Sequence, residues 1–111
     1  MFLKLSKSIQ TLNEVAVGDR DADLILENCS LFNVYSREIL PETEIAISQD
    51  RIAYVGKDAS HTKGKKTVTI NLEKKYVTPG FADPHIHLDQ FVLPTEFVKK
   101  SLLCGVTSLF S

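Results

Sequence analysis

Apolar positions near the start of the chain recur at spacings of three and four: Phe2, Leu5, Ile9, Leu12 and Ala16. That period places them on one stripe of an amphipathic helix over residues 2–17. Gly18 is a suitable stop. Residues 1–20 are therefore expected to form an N-terminal helical segment packed on the protein's own body. From Asp21 the period shortens. Ala22 to Glu27 and Leu31 to Tyr35 are apolar runs of strand length, with Asn28, Cys29 and Ser30 between them and a turn region at Ser36 to Pro41. Their alternation is imperfect, so the inward face stays open. Ile45 and Ile47 alternate with Glu44, Ala46 and Ser48. Gln49-Asp50 then leads into Arg51 to Val55, and Gly56 ends the run, which together read as a hairpin. Lys57 to Lys66 reads as an exposed loop. Thr67 to Leu72 and Tyr76 to Thr78 return to strand character, with Glu73 to Lys75 as a turn. Short strands at this density predict a mainly β domain over residues 21–78, sandwich-like or openly antiparallel. Its expected core is Leu24, Leu26, Ile45, Ile47, Ile52, Val55, Val68 and Ile70.

A second organisation begins at Pro79-Gly80. Phe81 to His87 is strand-like. Pro94 suits the first turn of a helix, where its missing N–H has no acceptor to lose. Glu96 lies near the positive end of that helix and Lys99 and Lys100 nearer the negative end. Gly105 is placed to cap it, and Val106 to Phe110 is a further apolar strand. Strand, helix, strand in this order predicts one parallel crossover unit over residues 79–111. Such a unit does not bury both faces of its strands by itself. The expectation is a truncated chain, or a surface covered by another.

Size and charge narrow the function classes. The chain has 111 residues, 43% of them hydrophobic and 24% charged, with a formal net charge of -1. That suits a small domain, whereas a complete (β/α)8 barrel takes about 250 residues. Lys63, Lys65 and Lys66 form the densest basic stretch, but no aromatic residues alternate with them, so nucleic acid is not an expected partner. No apolar run approaches the roughly 18 residues of a membrane span, and no secretory signal pattern is present. Cys29 and Cys104 do not make a disulfide framework. Reduced thiols and a cytoplasmic location are expected, with a small molecule as the partner and self-association left open.

The chemistry concentrates in one run, Pro79-Gly80-Phe81-Ala82-Asp83-Pro84-His85-Ile86-His87-Leu88. Along a strand, side chains two apart share a face. Asp83, His85 and His87 would then point one way, with Asp89 beyond them. Two imidazoles on one face can hold one divalent ion, and a carboxylate beside them can orient a ring or meet a substrate. His-x-His alone is more often the pattern of two surface histidines. Its place at the end of a parallel strand, where enzyme sites gather, brings the metal reading level with that one. A catalytic metal takes three or more ligands. His61 reads as an ordinary loop histidine and Glu96 as helix-end charge, so the stretch is short of donors.

The run from Pro79 to His87 resembles the start of the barrel in the metal-dependent amidohydrolase superfamily, and within it the adenine deaminase group. Further segments carry the likeness. Ala22 to Asn28 with Phe32-Asn33-Val34 resembles that group's opening strands. Ile45-Ala46-Ile47 with Asp50 to Gly56 resembles its hairpin. Leu93 to Phe97 and Gly105 to Ser108 resemble the first barrel helix and the entry to the second strand. The resemblance implies a small β-sandwich-like domain followed by the first β/α unit of a (β/α)8 barrel. It implies one or two divalent ions, manganese, iron or zinc, and a metal-activated hydroxide. His85 and His87 match the first two metal-binding histidines, and Asp83 the acid before them. The implied reaction is hydrolysis of adenine to hypoxanthine and ammonia in a longer protein, the 111 residues alone being inactive.

Two departures bear on the substrate. Pro84 stands where the group has a small residue. Leu88-Asp89-Gln90-Phe91 replaces an apolar residue, a glutamate and small serines. Asp89 keeps an acid, one methylene shorter, and is the catalytic candidate of this stretch. Two other readings are a related amidohydrolase acting on a cyclic amide or another aminated heterocycle, and a non-catalytic β module used for structure or interaction.

Overall fold

The computed structural model describes residues 5–87 and 93–110. The chain divides into two compact units, Met1–Val77 and Thr78–Ser111. In the first, helix α1 (Leu5–Val17) is followed by β1 (Leu24–Asn33), β2 (Glu38–Ser48) and β3 (Arg51–Gly56). A short 3-10 turn (Ser60–Thr62) leads to β4 (Val68–Asn71) and β5 (Tyr76–Val77). These strands form one five-stranded sheet in the order β3-β2-β1-β4, with β5 also on β1.

The sheet is mixed, which corrects the antiparallel, sandwich-like expectation. β1, β2 and β3 are successive antiparallel neighbours, while β4 and β5 both run parallel to β1. Residues 57–67 supply the crossover that a parallel return needs. This loop is not simply solvated. Ala59 and Thr62 are fully buried. The Ala59 N–H donates to Glu44 Oε2 at 2.7 Å, and the Ala22 N–H donates to the Thr62 carbonyl at 2.8 Å.

Between Leu26 and Leu31 the expected break is a bulge within one continuous strand. Asn28 takes a left-handed φ of 55°, a conformation asparagine tolerates. The distortion lets β1 exchange β4 for β5 as its parallel neighbour, since Ser30 and Leu31 pair with Tyr76 and Val77. Cys29, at the bulge, is fully buried.

The core lies on the α1 side of the sheet. Val15, Ala22, Ile25, Ala46 and Ala59 are buried there, with Ala53 and Tyr54 packed against them. Three alanines let the helix and loop approach the strands closely. The helix is turned from its expected stripe: Ser8 and Val15, seven residues apart, are buried, whereas Ile9 is 47% exposed. Phe2 lies outside the described residues.

The eight residues expected as core occupy the other face. Pairing aligns Val55, Ile45, Leu26 and Ile70 in one row across the sheet, and Ile52, Ile47, Leu24 and Val68 in the next. A bulge in β3 keeps Ile52 opposite Ile47. Of these eight, Ile45 is buried, and the ends of both rows are exposed.

The second unit holds β6 (Phe81–Asp83), α2 (Pro94–Leu103) and β7 (Val106–Leu109). β6 and β7 pair in parallel, as the crossover reading requires. Pro94 opens α2, and Lys99 donates to Glu96 Oε1 at 2.8 Å along its first turns. Gly105, with φ of 81°, follows the helix as its left-handed terminator. The described part is one strand-helix-strand unit and not a closed barrel.

Candidate metal centre

β6 stops at Asp83, four residues short of the strand expected through His87. Pro84 explains the stop, because it has no N–H to give to a ladder. The chain nevertheless stays pinned to the end of β7. The Phe110 N–H donates to the Asp83 carbonyl at 3.1 Å, and the Ile86 N–H donates to the Phe110 carbonyl at 3.1 Å. Between these two points the His85 N–H donates to Asp83 Oδ1 at 3.1 Å. The histidines thus sit on a loop at the C-terminal end of a parallel pair, not on the strand itself.

The loop still brings them together. The His85 and His87 rings meet edge to face, with centroids 4.8 Å apart and planes at 87°. Both side chains are exposed, and Ile86 between them is half-buried. One ion about 2.1 Å from a nitrogen of each ring would set the ring centres roughly 4.5 to 5.2 Å apart. Neutral imidazoles are good donors for zinc, manganese or iron. The pair therefore fits part of a metal site. It does not complete one: among the described residues, no group of three or more His, Cys, Asp or Glu side chains is placed to hold an ion.

The other sequence candidates separate. Asp83 is half-buried and turns its carboxylate to the His85 backbone. It also borders a groove of about 240 Å³ along α2, with Phe97, Lys100, Ser101, Cys104, Val106 and Leu109. Asp89 lies outside the described residues. Glu96 is engaged by Lys99. His61 belongs to the first unit, where it lies edge-on to Tyr54 at 4.7 Å and its Nε2 is 3.0 Å from the Ala16 carbonyl at the end of α1. Sequence reasoning missed the Phe110 carbonyl, whose grip on Ile86 shapes the loop. The parallel register of β6 and β7 is the signal that points to it.

No family model matches the chain. An adenine deaminase of Cenarchaeum symbiosum is 61% identical over 107 residues, covering 96% of this chain and 18% of the relative. Adenine deaminase 3 of Rhizobium meliloti is 42% identical over 100 residues, covering 89% and 17%. A Clostridium botulinum adenine deaminase is 40% identical over 102 residues, covering 91% and 17%. A solved structure of a Bacillus thuringiensis protein is 31% identical, covering 65% of this chain and 97% of that one, with a TM-score of 0.47. The chain is homologous to adenine-deaminase-like amidohydrolases, and it spans less than a fifth of the length of these relatives.

Proposed function

We propose that this chain is the N-terminal part of a metal-dependent amidohydrolase that converts adenine and water into hypoxanthine and ammonia. The observation that carries the reading is the edge-to-face pair of His85 and His87 at the end of the β6–β7 pair. The 61% identity to an adenine deaminase supports adenine as the substrate class. His85 and His87 would hold the divalent ion through their ring nitrogens. When bound, such an ion supplies Lewis acidity and a hydroxide nucleophile near neutral pH. The chain's own work is to present two imidazoles side by side. The strand end, the Asp83 carboxylate and the Phe110 carbonyl fix the loop that carries them. Among the described residues the two imidazoles fall short of the three protein ligands a catalytic ion takes, so we read turnover as the property of a longer polypeptide.

The test is an ammonia-release assay on the full-length protein with adenine, after removal of metal and reloading with manganese, iron or zinc. Turnover should return with metal, and His85→Ala and His87→Ala should lose metal and turnover together. A metal-replete protein that leaves adenine untouched would overturn the substrate. Wild-type rates in both histidine variants would overturn the site.

A further inference from the structure

The backbone from Pro84 to Ile86 has one N–H that the pairing with Phe110 does not use. Pro84 has none to offer. Ile86 gives its own to the Phe110 carbonyl, and the Asp83 carbonyl is already taken by the Phe110 N–H. The His85 N–H falls in the gap between these two ladder contacts. The Asp83 carboxylate fills the gap, accepting that N–H at 3.1 Å. His85 is thereby held from its own backbone, with a fixed point on either side of it.

We propose that Asp83 is a positioning residue that works as a hydrogen-bond acceptor for the His85 backbone and not as an anion. This assigns a specific role to an acid that could otherwise orient an imidazole, meet an ion or contact a substrate. Such a turn needs one sp² oxygen two residues before the N–H, and an asparagine side chain supplies it as well as an aspartate. A carboxylate serving an ion or an imidazole uses its charge, which asparagine lacks. Among the described residues, the contact Asp83 makes through its carboxylate is with the backbone. The turn keeps the two rings near each other before any ion arrives, so less ordering remains to be done on binding. What the ring pair binds rests on the proposed function. The role of Asp83 in the turn does not.

The full-length protein and its Asp83→Asn and Asp83→Ala variants separate the two roles. The first readout is hydrogen exchange at the His85 amide in metal-free protein, resolved by mass spectrometry with electron-transfer fragmentation. Exchange should rise about tenfold or more in Asp83→Ala and stay near wild type in Asp83→Asn, as expected for loss and retention of one acceptor. The second readout is cobalt(II) affinity from its absorption bands. It should fall tenfold or more in Asp83→Ala, the scale of a lost supporting hydrogen bond, and hold within about threefold in Asp83→Asn.

Wild-type protection in Asp83→Ala would overturn the proposal. So would an Asp83→Asn variant that loses protection or cobalt affinity as Asp83→Ala does. If Asp83→Ala does not fold, as judged by exchange at Phe110, the comparison of Asp83→Asn with wild type decides alone. If cobalt binds wild type and a His85→Ala/His87→Ala double variant equally, the metal reading fails. The exchange result still rules on Asp83.

Discussion

Leu26 and Ile45 face each other across β1 and β2, on the side of the sheet away from α1. Ile25 and Ala46, one step along each strand, face each other on the helix side. Ile45 is itself buried, at 2%, so the two faces differ most at the ends of the rows. Ile25 is 1% exposed, whereas Ile52, at the end of an opposite-face row, is 60% exposed. Ile25→Ala should lower the stability of the 111-residue chain by about 2–5 kcal/mol, the range for emptying a packed site. Ile52→Ala should cost under about 1 kcal/mol, since little is removed from a packed environment. Urea unfolding of both variants gives the comparison. Equal losses would mean that the opposite face is covered in solution.

This contrast also marks how far the sequence could be read. Large β-branched and leucine residues at alternate positions predict a core face, and the register does collect all eight on one face. Burial was decided elsewhere, by where α1 packs. Most of its partners are alanines, whose size permits close approach but whose weak hydrophobicity gives a faint signal. The parallel pairing of β4 was hidden because it depends on a crossover loop anchored by buried Ala59 and Thr62, small residues in a stretch that looks polar. In the second unit the helix was legible from Pro94, the charge order and Gly105. The end of β6 was not, because apolar alternation continues through Ile86 while Pro84 has already interrupted the ladder. The His85–His87 pair could be read as a spacing. The loop geometry behind it could not, since it rests on a carbonyl at Phe110.

Two glycines stand where a side chain meets different resistance. Gly18 has φ of 86°, and an added Cβ would lie 2.9 Å from the His61 carbonyl oxygen. Gly105 has φ of 81°, and its added Cβ would lie 3.3 Å from the Phe81 ring. Both Gly→Ala changes lose a left-handed conformation, worth about 1 kcal/mol. A ring can shift by tenths of an ångström, whereas a carbonyl fixed in a 3-10 turn cannot do so freely. Gly18→Ala should therefore cost more than Gly105→Ala in thermal unfolding. The reverse order would show that the contact of α1 with His61 is loose.

Asp58 ties stability to acid. Its carboxyl is held below the usual carboxylate range, first by the Ser60 N–H, which donates to Asp58 Oδ1 at 2.8 Å, then by the Ser60 hydroxyl and more weakly by His61. A carboxyl with a depressed folded pKa stabilises the fold above its unfolded pKa, near 3.9. That contribution is lost as pH falls through the folded value. The stability gap between wild type and Asp58→Ala should be constant from pH 7 to about pH 5 and shrink below about pH 4. Denaturant titrations at several pH values supply the test. A gap that persists unchanged to pH 2 would mean that the charge on Asp58 does not matter.

The two thiols differ in access, and alkylation should separate them. Cys29 is fully buried at the β1 bulge, whereas Cys104 is exposed after α2. Burial pushes the Cys29 thiol up from its ordinary range, a backbone hydrogen bond opposes part of that rise, and the Glu44 carboxylate adds a smaller upward push. The reactive species is the thiolate, so Cys29 is disfavoured by charge state as well as by access. Iodoacetamide at pH 8 on the native chain should label Cys104, and Cys29 should react at a comparable rate only after unfolding in urea. The same shift has a thermodynamic sign. A group whose folded pKa is raised stabilises the fold below its unfolded pKa, near 8.5, and that contribution is lost as pH climbs through the folded value. Stability should therefore decline faster above pH 9 in wild type than in Cys29→Ala, even though the variant starts lower for want of the buried side chain. Peptide mapping after timed alkylation reads the first expectation and urea titration at pH 8 and 10 the second. Rapid labelling of Cys29 in the folded chain would show that the bulge opens readily, and parallel pH profiles would show that the thiol does not titrate with folding.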